Sequence, residues 1–343
     1  MPSETRHVVT FSGPHSVDVH EEPVPDPGAD EVLVTATVSG ISPGTERLVY
    51  RGEAPDGMAA DASLSSLGGD LSFPLRYGYC NVGRVASVGQ NVDPSWVGRR
   101  VFAFQPHVSA YTTTPDALIP LPESVTDDEA VFIPNVETAV NLVMDGRPVL
   151  GERVVVFGQG VVGLLTTALL DRHAVGLSTV EPSPDRRARS EALGAARSVP
   201  PSDLEALHDS MTFDGDRPDG ADLVYELTGR PSVLDDAIAC AGFDARIVVG
   251  SWYGTKRAPI DLGSRFHRAR ITITSSQVST IAPRYRGRWT KARRMNTVLH
   301  VLSTIDGPIV PVRRYSIHDA PTAYQDLDSE GDTLVQPVFQ YDA

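Results

Sequence analysis

Apolar and polar positions alternate with a period of two through about the first 120 residues, between breaks at Gly, Pro and Asp, a pattern that predicts strands rather than helices. His7 to Phe11, Ser16 to His20 and Glu31 to Ser39 carry it most clearly. Val82 to Val88 and Arg100 to Phe104 continue it, with Gly78, Gly83, Gly89 and Gly98 as the bends of a barrel-like sheet. Between these runs, Gly52 to Phe73 reads as a long loop rich in Ala, Ser, Gly and Asp, with room for one short helix. Loops of that length often line a site. After Pro122 the spacing becomes helical: Asp127 and Asp128 mark a helix start, and Val131, Val136, Ala139, Val140 and Val143 recur at intervals that put them on one face.

From Glu152 to Ser276, apolar strands alternate with helices. The strands are Arg153 to Phe157, Leu177 to Val180, Ala221 to Leu227, Arg246 to Gly250 and Ile271 to Ser275; the helices are Val161 to Leu170, Arg186 to Leu193 and Val233 to Ala241. Alternation of this kind builds parallel βαβ units with helices on both faces of one sheet. Arg293 to Leu302 is predicted as a helix and the chain from Val310 onward as short strands that return to the first domain. The expected fold is therefore α/β, a doubly wound parallel Rossmann sheet plus a β-barrel domain. Residues 1–137 form the first domain, 138–282 the second, and 283–343 the returning segment.

A chain of 343 residues is long enough for two such cores. Its formal charge of −14 excludes a nucleic-acid partner, because phosphate backbones demand clustered Lys and Arg, and leaves a small molecule as the expected partner. Lys256 and Lys291 are the only lysines, and the dense carboxylate surface is read either as a GC-rich genome or as adaptation to a salty host. Cys80 and Cys240 are the only cysteines, which excludes a disulfide scaffold and a four-thiolate zinc site. The longest apolar stretch, Val161 to Leu170, is far short of the ~20 residues that a membrane span needs. The N-terminus lacks the layout of a secretory leader, so the expected location is the cytoplasm.

The strand Arg153 to Phe157 runs directly into Gly158-Gln159-Gly160-Val161-Val162-Gly163 and an apolar helix. In that setting Gly158 turns the chain, Gly160 lets a pyrophosphate approach the backbone, and Gly163 lets helix and strand pack closely. The helix start then offers unpaired N–H groups to the phosphates. A second strand ends at Glu181, about 20 residues on, where its carboxylate can accept the adenosine ribose hydroxyls. That acid favours NAD over NADP, although Arg186 and Arg187 just beyond it are able to hold a 2′-phosphate. Thr228 and Gly229, Gly250 and Ser251, and Ser275, Ser276 and Gln277 follow later strands of the same sheet and are expected on its cofactor side, or as plain turn residues.

The order of elements resembles the medium-chain dehydrogenase/reductase superfamily, the alcohol-dehydrogenase-like group with a GroES-like catalytic domain. The resemblance rests on Glu31-Val32-Leu33-Val34 leading to Gly40-Ile41-Ser42, on Gly98 to Phe102, Leu121-Pro122 and Gly151-Glu152, and on Ala192-Leu193-Gly194-Ala195. Gly44-Thr45-Glu46 and Arg76-Tyr77-Gly78-Tyr79 resemble a subgroup called bacteriochlorophyllide-dehydrogenase-like or threonine-dehydrogenase-like. The resemblance implies hydride transfer between a nicotinamide and an alcohol/carbonyl pair or a conjugated alkene, in a homodimer formed through the edge of the Rossmann sheet.

Where zinc members of that family hold their metal, this chain has Ser42, Tyr79 and Pro134. A neutral hydroxyl is a poor zinc ligand and proline offers no side-chain donor, so no catalytic zinc is expected. A site rebuilt from Cys80, Glu137, Glu46 and His107 remains the alternative, as does a dinucleotide-binding redox sensor or structural protein without turnover. Without the metal another group must protonate the developing alkoxide. The candidates are Tyr79, then Thr45 at the family's proton-relay position, then His107 as a continuation of the relay to solvent or a substrate ligand. The run Pro283 to Trp289, with Arg284, Arg286 and Arg288, is either a surface for an anionic or ring-shaped substrate or an exposed helix start.

Overall fold

The computed structural model describes residues 5–55, 57–61, 65–173, 175–212, 219–305, 309–330 and 335–341. The chain divides into two units, one of residues 1–134 with 299–343 and one of residues 135–298. Among the described residues no helix is long and apolar enough to cross a membrane.

The first unit opens with the antiparallel pair β1 (Thr5–Gly13) and β2 (Ser16–Pro23). Its main sheet begins with β3 (Val32–Gly40), which leads into the short helix α1 (Thr45–Tyr50). Strands β4 (Asn81–Val88), β5 (Arg100–Ala103), β6 (Ala110–Thr113) and β7 (Ile119–Pro120) follow, then helix α2 (Asp127–Ala130). Thr126 and Glu129 close a reciprocal capping box on α2, which fixes where that helix starts. Inward residues of these strands, among them Val8, Val32, Val34, Val85, Val101 and Tyr111, share one core, as period-two alternation requires.

Helix α3 (Ile133–Gly146) carries the chain into the second unit, followed by β8 (Arg153–Phe157), α4 (Val161–Asp171), β9 (Gly176–Val180), α5 (Pro184–Ala192) and β10 (Arg197–Val199). It continues through α6 (Leu204–Asp209), β11 (Ala221–Glu226), α7 (Val233–Cys240), β12 (Ala241–Val249) and β13 (Thr272–Ser275). The sheet order is β10-β9-β8-β11-β12-β13, every pair parallel. Val154 and Val156 pack on one face with Leu142, Leu223 and Tyr225. Val155 and Phe157 pack on the other with Val180, Val224 and Ile247. Burial on both faces is why these strands read as unbroken apolar runs. The order reverses between β8 and β11, and at such a switch the carboxyl ends of the strands leave a crevice.

After α8 (Lys291–Leu302), β14 (Val312–Ser316) and β15 (Gln336–Gln340) join the first unit's sheet, giving the order β14-β15-β3-β4-β5-β7 with β6 also on β3. Between them lies α9 (Ala320–Ser329). The helices α1 and α9 correct the expectation of strands and loops alone in these stretches. Only six residues long, α1 is too short to establish a period, and it buries the acid Glu46 beside Leu48 and Val49. Helix α9 buries Ala320, Ala323 and Tyr324, a helical spacing carried mostly by alanine, which gives little hydrophobic contrast.

Candidate functional site

The second unit holds the glycine turn. Gly158 has φ +88°, and a side chain there would begin 2.9 Å from the Leu227 carbonyl; one on Gly163 would begin 2.0 Å from the Gly158 oxygen. Helix α4 starts from Gly160 with no side-chain cap, leaving its first N–H groups for a ligand or solvent. Nothing lies within 4 Å of the point where a Gly160 side chain would begin. Gln159, fully buried, turns inward: its amide nitrogen donates to the Gly158 carbonyl at 3.1 Å and its amide oxygen accepts from Thr167 at 3.0 Å. An uncapped helix start beneath an open glycine fits an anionic diphosphate.

Glu181 closes the same crevice. Its carboxylate is only 3% exposed and accepts the backbone N–H of Gln159 at 2.8 Å and of Ser183 at 3.0 Å. Arg187 donates to the backbone carbonyls of Glu181 at 2.8 Å and Pro182 at 2.7 Å. Arg186 is half-buried.

On the far side of the switch, Thr228 and Gly229 follow β11, and Gly250 and Ser251 follow β12. The Gly229 N–H donates to the Ser251 hydroxyl at 2.8 Å. Sequence reasoning missed what organises these turns. Glu226, the last residue of β11, is fully buried; its carboxylate accepts the Thr228 N–H at 2.8 Å and the Tyr253 hydroxyl at 2.5 Å, and the Thr228 hydroxyl as well. Burial, and then that carboxylate, raise the Tyr253 phenol far above its ordinary range. The only sequence signal was an acid ending an otherwise apolar strand. After β13, Ser276 donates to Asp145 at 2.8 Å and accepts from Asn141 at 2.9 Å, both on α3. Ser275 and Gln277 are exposed, and Gln277 bonds locally to Ser279. Arg294, 1% exposed, binds Glu137 at 2.8 Å and Asn141 at 2.7 Å.

In the first unit the three catalytic candidates differ in their access to solvent. The half-buried Tyr79 neighbours Ser42, Thr45 and Glu46: burial, with the Glu46 charge second, pushes its phenol up to about 12, against the lowering effect of the Ser42 and Thr45 hydroxyls. Tyr79 and Thr45 are therefore together. His107 lies behind them and does not reach solvent: it is fully buried, with Nε2 2.9 Å from Glu46 Oε2 and Nδ1 2.7 Å from the Ser39 hydroxyl. Burial thus corrects the expectation of a relay through His107 to solvent.

The donors weighed for a rebuilt zinc site do not fit one. Glu46 and His107 engage each other, Glu137 engages Arg294, and the Cys80 thiol donates to the Val131 carbonyl at 3.2 Å and is pushed up to about 12 by burial. Among the described residues no group of three His, Cys, Asp or Glu side chains is disposed to hold a metal. The arginines of the Pro283 to Trp289 run are exposed. Arg284 and Arg288 lie over the Tyr285 ring at 5.8 and 5.9 Å, and Arg284 Nη2 stands 3.9 Å from Asp145.

Residues 161–295 match the family model described as zinc-binding dehydrogenase. The chain is 25% identical over 274 residues to the starvation-sensing protein RspB of Escherichia coli K12, covering 70% of this chain and 75% of that one. It is 26% identical over 236 residues to (R,R)-butanediol dehydrogenase of Bacillus subtilis 168, covering 61% and 65%. Its fold matches the crystal structure of rspB from Escherichia coli CFT073 complexed with NADH, with a TM-score of 0.78 at 18% identity over 98% of this chain and 100% of the other.

Proposed function

Because the chain belongs to the medium-chain dehydrogenase/reductase superfamily, we propose that it is an NAD(P)-dependent oxidoreductase that moves hydride between nicotinamide and an alcohol/carbonyl pair or a conjugated alkene, and that it does so without a catalytic zinc. The observation that carries the reading is the open Gly160 above the uncapped start of α4, with Glu181 fastened beside it. We favour NAD as cofactor: an acid at the end of β9 suits ribose hydroxyls and opposes a 2′-phosphate, and Arg187 is engaged with backbone carbonyls. We propose a homodimer.

The nicotinamide, when bound, supplies or accepts the hydride. The protein's own part is the proton. In the direction of reduction, Tyr79 donates its phenolic proton to the substrate oxygen and recovers one through Thr45 and Ser42. A neutral phenol suits this role because it is held protonated well beyond neutral pH. Glu226, through Thr228 and Tyr253, orients the turns after β11 and β12. In place of a Lewis acid, hydroxyl donors stabilise the developing alkoxide.

Calorimetry with NADH and NADPH, followed by a panel of aldehydes, ketones and enones monitored at the nicotinamide absorbance, tests the reading. We expect NADH to bind more tightly and at least one carbonyl class to be reduced. No heat with either nucleotide refutes it; binding without turnover across the panel points to a redox sensor instead.

A further inference from the structure

Beneath the Tyr79 cluster runs a hydrogen-bonded chain that the reaction above does not use. Tyr341, Ser39, His107, Glu46 and Tyr324 are all buried, and Ser39, His107, Glu46 and Tyr324 have no exposed surface at all. The Tyr341 and Ser39 hydroxyls are 2.7 Å apart, Ser39 and His107 Nδ1 2.7 Å, and His107 Nε2 and Glu46 Oε2 2.9 Å. Tyr324 donates to the same Glu46 oxygen at 2.5 Å. The other oxygen, Oε1, accepts the backbone N–H of Ser42 at 2.8 Å.

Burying a carboxylate is costly unless every lone pair is engaged. An apolar side chain would fill the same space on α1 at less cost. What the carboxylate does that an apolar group cannot is reach back to Ser42, four residues before it, and pin the backbone that carries the Ser42 and Thr45 hydroxyls. Next after burial, the Glu46 charge also raises the Tyr79 phenol, because a phenolate there would face like charge.

We propose that Glu46, held by His107 and Tyr324, is the positioning residue of the Ser42–Thr45–Tyr79 cluster, fixing the backbone that carries its hydroxyls. The proposal rests on the reading of Tyr79 as proton donor. The titratable groups around the cluster are Asp61, Tyr77, Cys80, His107, Tyr324 and Tyr341; burial is the largest cause raising Tyr77, Tyr79, Tyr324 and Tyr341, and the Glu46 charge contributes to each.

The test follows the phenol directly in the full-length protein. Difluorotyrosine, whose phenol is more acidic, brings ionisation into a range the fold tolerates, and the ¹⁹F resonance of residue 79 is assigned by its loss in Y79F. We expect E46Q to lower the Tyr79 midpoint by about one unit, E46D to restore it, and Y324F, which keeps the charge and removes a donor, not to lower it. On an active carbonyl, kcat in E46Q should fall about tenfold while the NADH dissociation constant stays within about twofold of wild type. An unchanged Tyr79 midpoint in E46Q overturns the proposal, whatever happens to melting temperature. Should E46Q not fold, E46L, which fills the space without a charge, serves in its place, and an unchanged Tyr79 midpoint there overturns the proposal equally. Absence of any turnover in the wild type would refute the enzymatic reading alone, because the fluorine titration still decides whether Glu46 governs Tyr79.

Discussion

Glu181 accepts the backbone N–H of Gln159 at 2.8 Å, so the acid expected to meet the ribose also fastens the glycine turn that meets the phosphates. Replacing Glu181 with Gln should disturb both. We expect the NADH dissociation constant to rise by about tenfold, the loss of one charge-assisted hydrogen bond, and that of NADPH to rise less, measured by calorimetry on the same preparation.

The second and third glycines of the turn should behave differently. A methyl on Gly160 meets nothing within 4 Å, so G160A should keep the wild-type melting temperature yet weaken NADH binding by obstructing the diphosphate. A methyl on Gly163 would lie 2.0 Å from the Gly158 oxygen, so G163A should lower both melting temperature and affinity. Equal melting temperatures in the two variants would contradict this account of the turn.

Tyr79→Phe removes the proposed donor but leaves the second unit untouched. It should reduce kcat for carbonyl reduction by about 100-fold with NADH affinity unchanged. Because the phenol is held up to about 12, wild-type kcat should show no alkaline loss from this group below pH 10.

Both cysteines are buried and pushed up to about 12 by burial. At pH 8 an aromatic disulfide reagent should label neither in the native protein and both in denaturant. The folded value lies above the ordinary 9.0, so the folded state favours the protonated thiol. That contribution to stability is complete below pH 9 and is lost as pH rises toward 12, which a chemical-denaturation series from pH 8 to 11 would register as a falling midpoint.

Arg294→Met would leave the buried Glu137 and Asn141 without their partner. An uncompensated buried carboxylate typically costs about 3–5 kcal/mol, so R294M should unfold at markedly lower denaturant, and R294M combined with E137L should recover much of the loss.

The sequence by itself determined the second unit's core and cofactor turn. Strand β8, the three glycines, α4, β9 and Glu181 follow one another within 29 residues, and each step is dictated by local rules: apolar runs buried on both faces, a turn that needs positive φ, a helix start without a cap. Tertiary structure decided what that order cannot carry. Glu46 meets His107 61 residues away and Tyr324 278 residues away, and Glu226 meets Tyr253 across two strands. Periodicity records which face of an element is buried; it does not record which buried polar group will satisfy another. A buried carboxylate in a short helix therefore looks like surface until the chain closes around it.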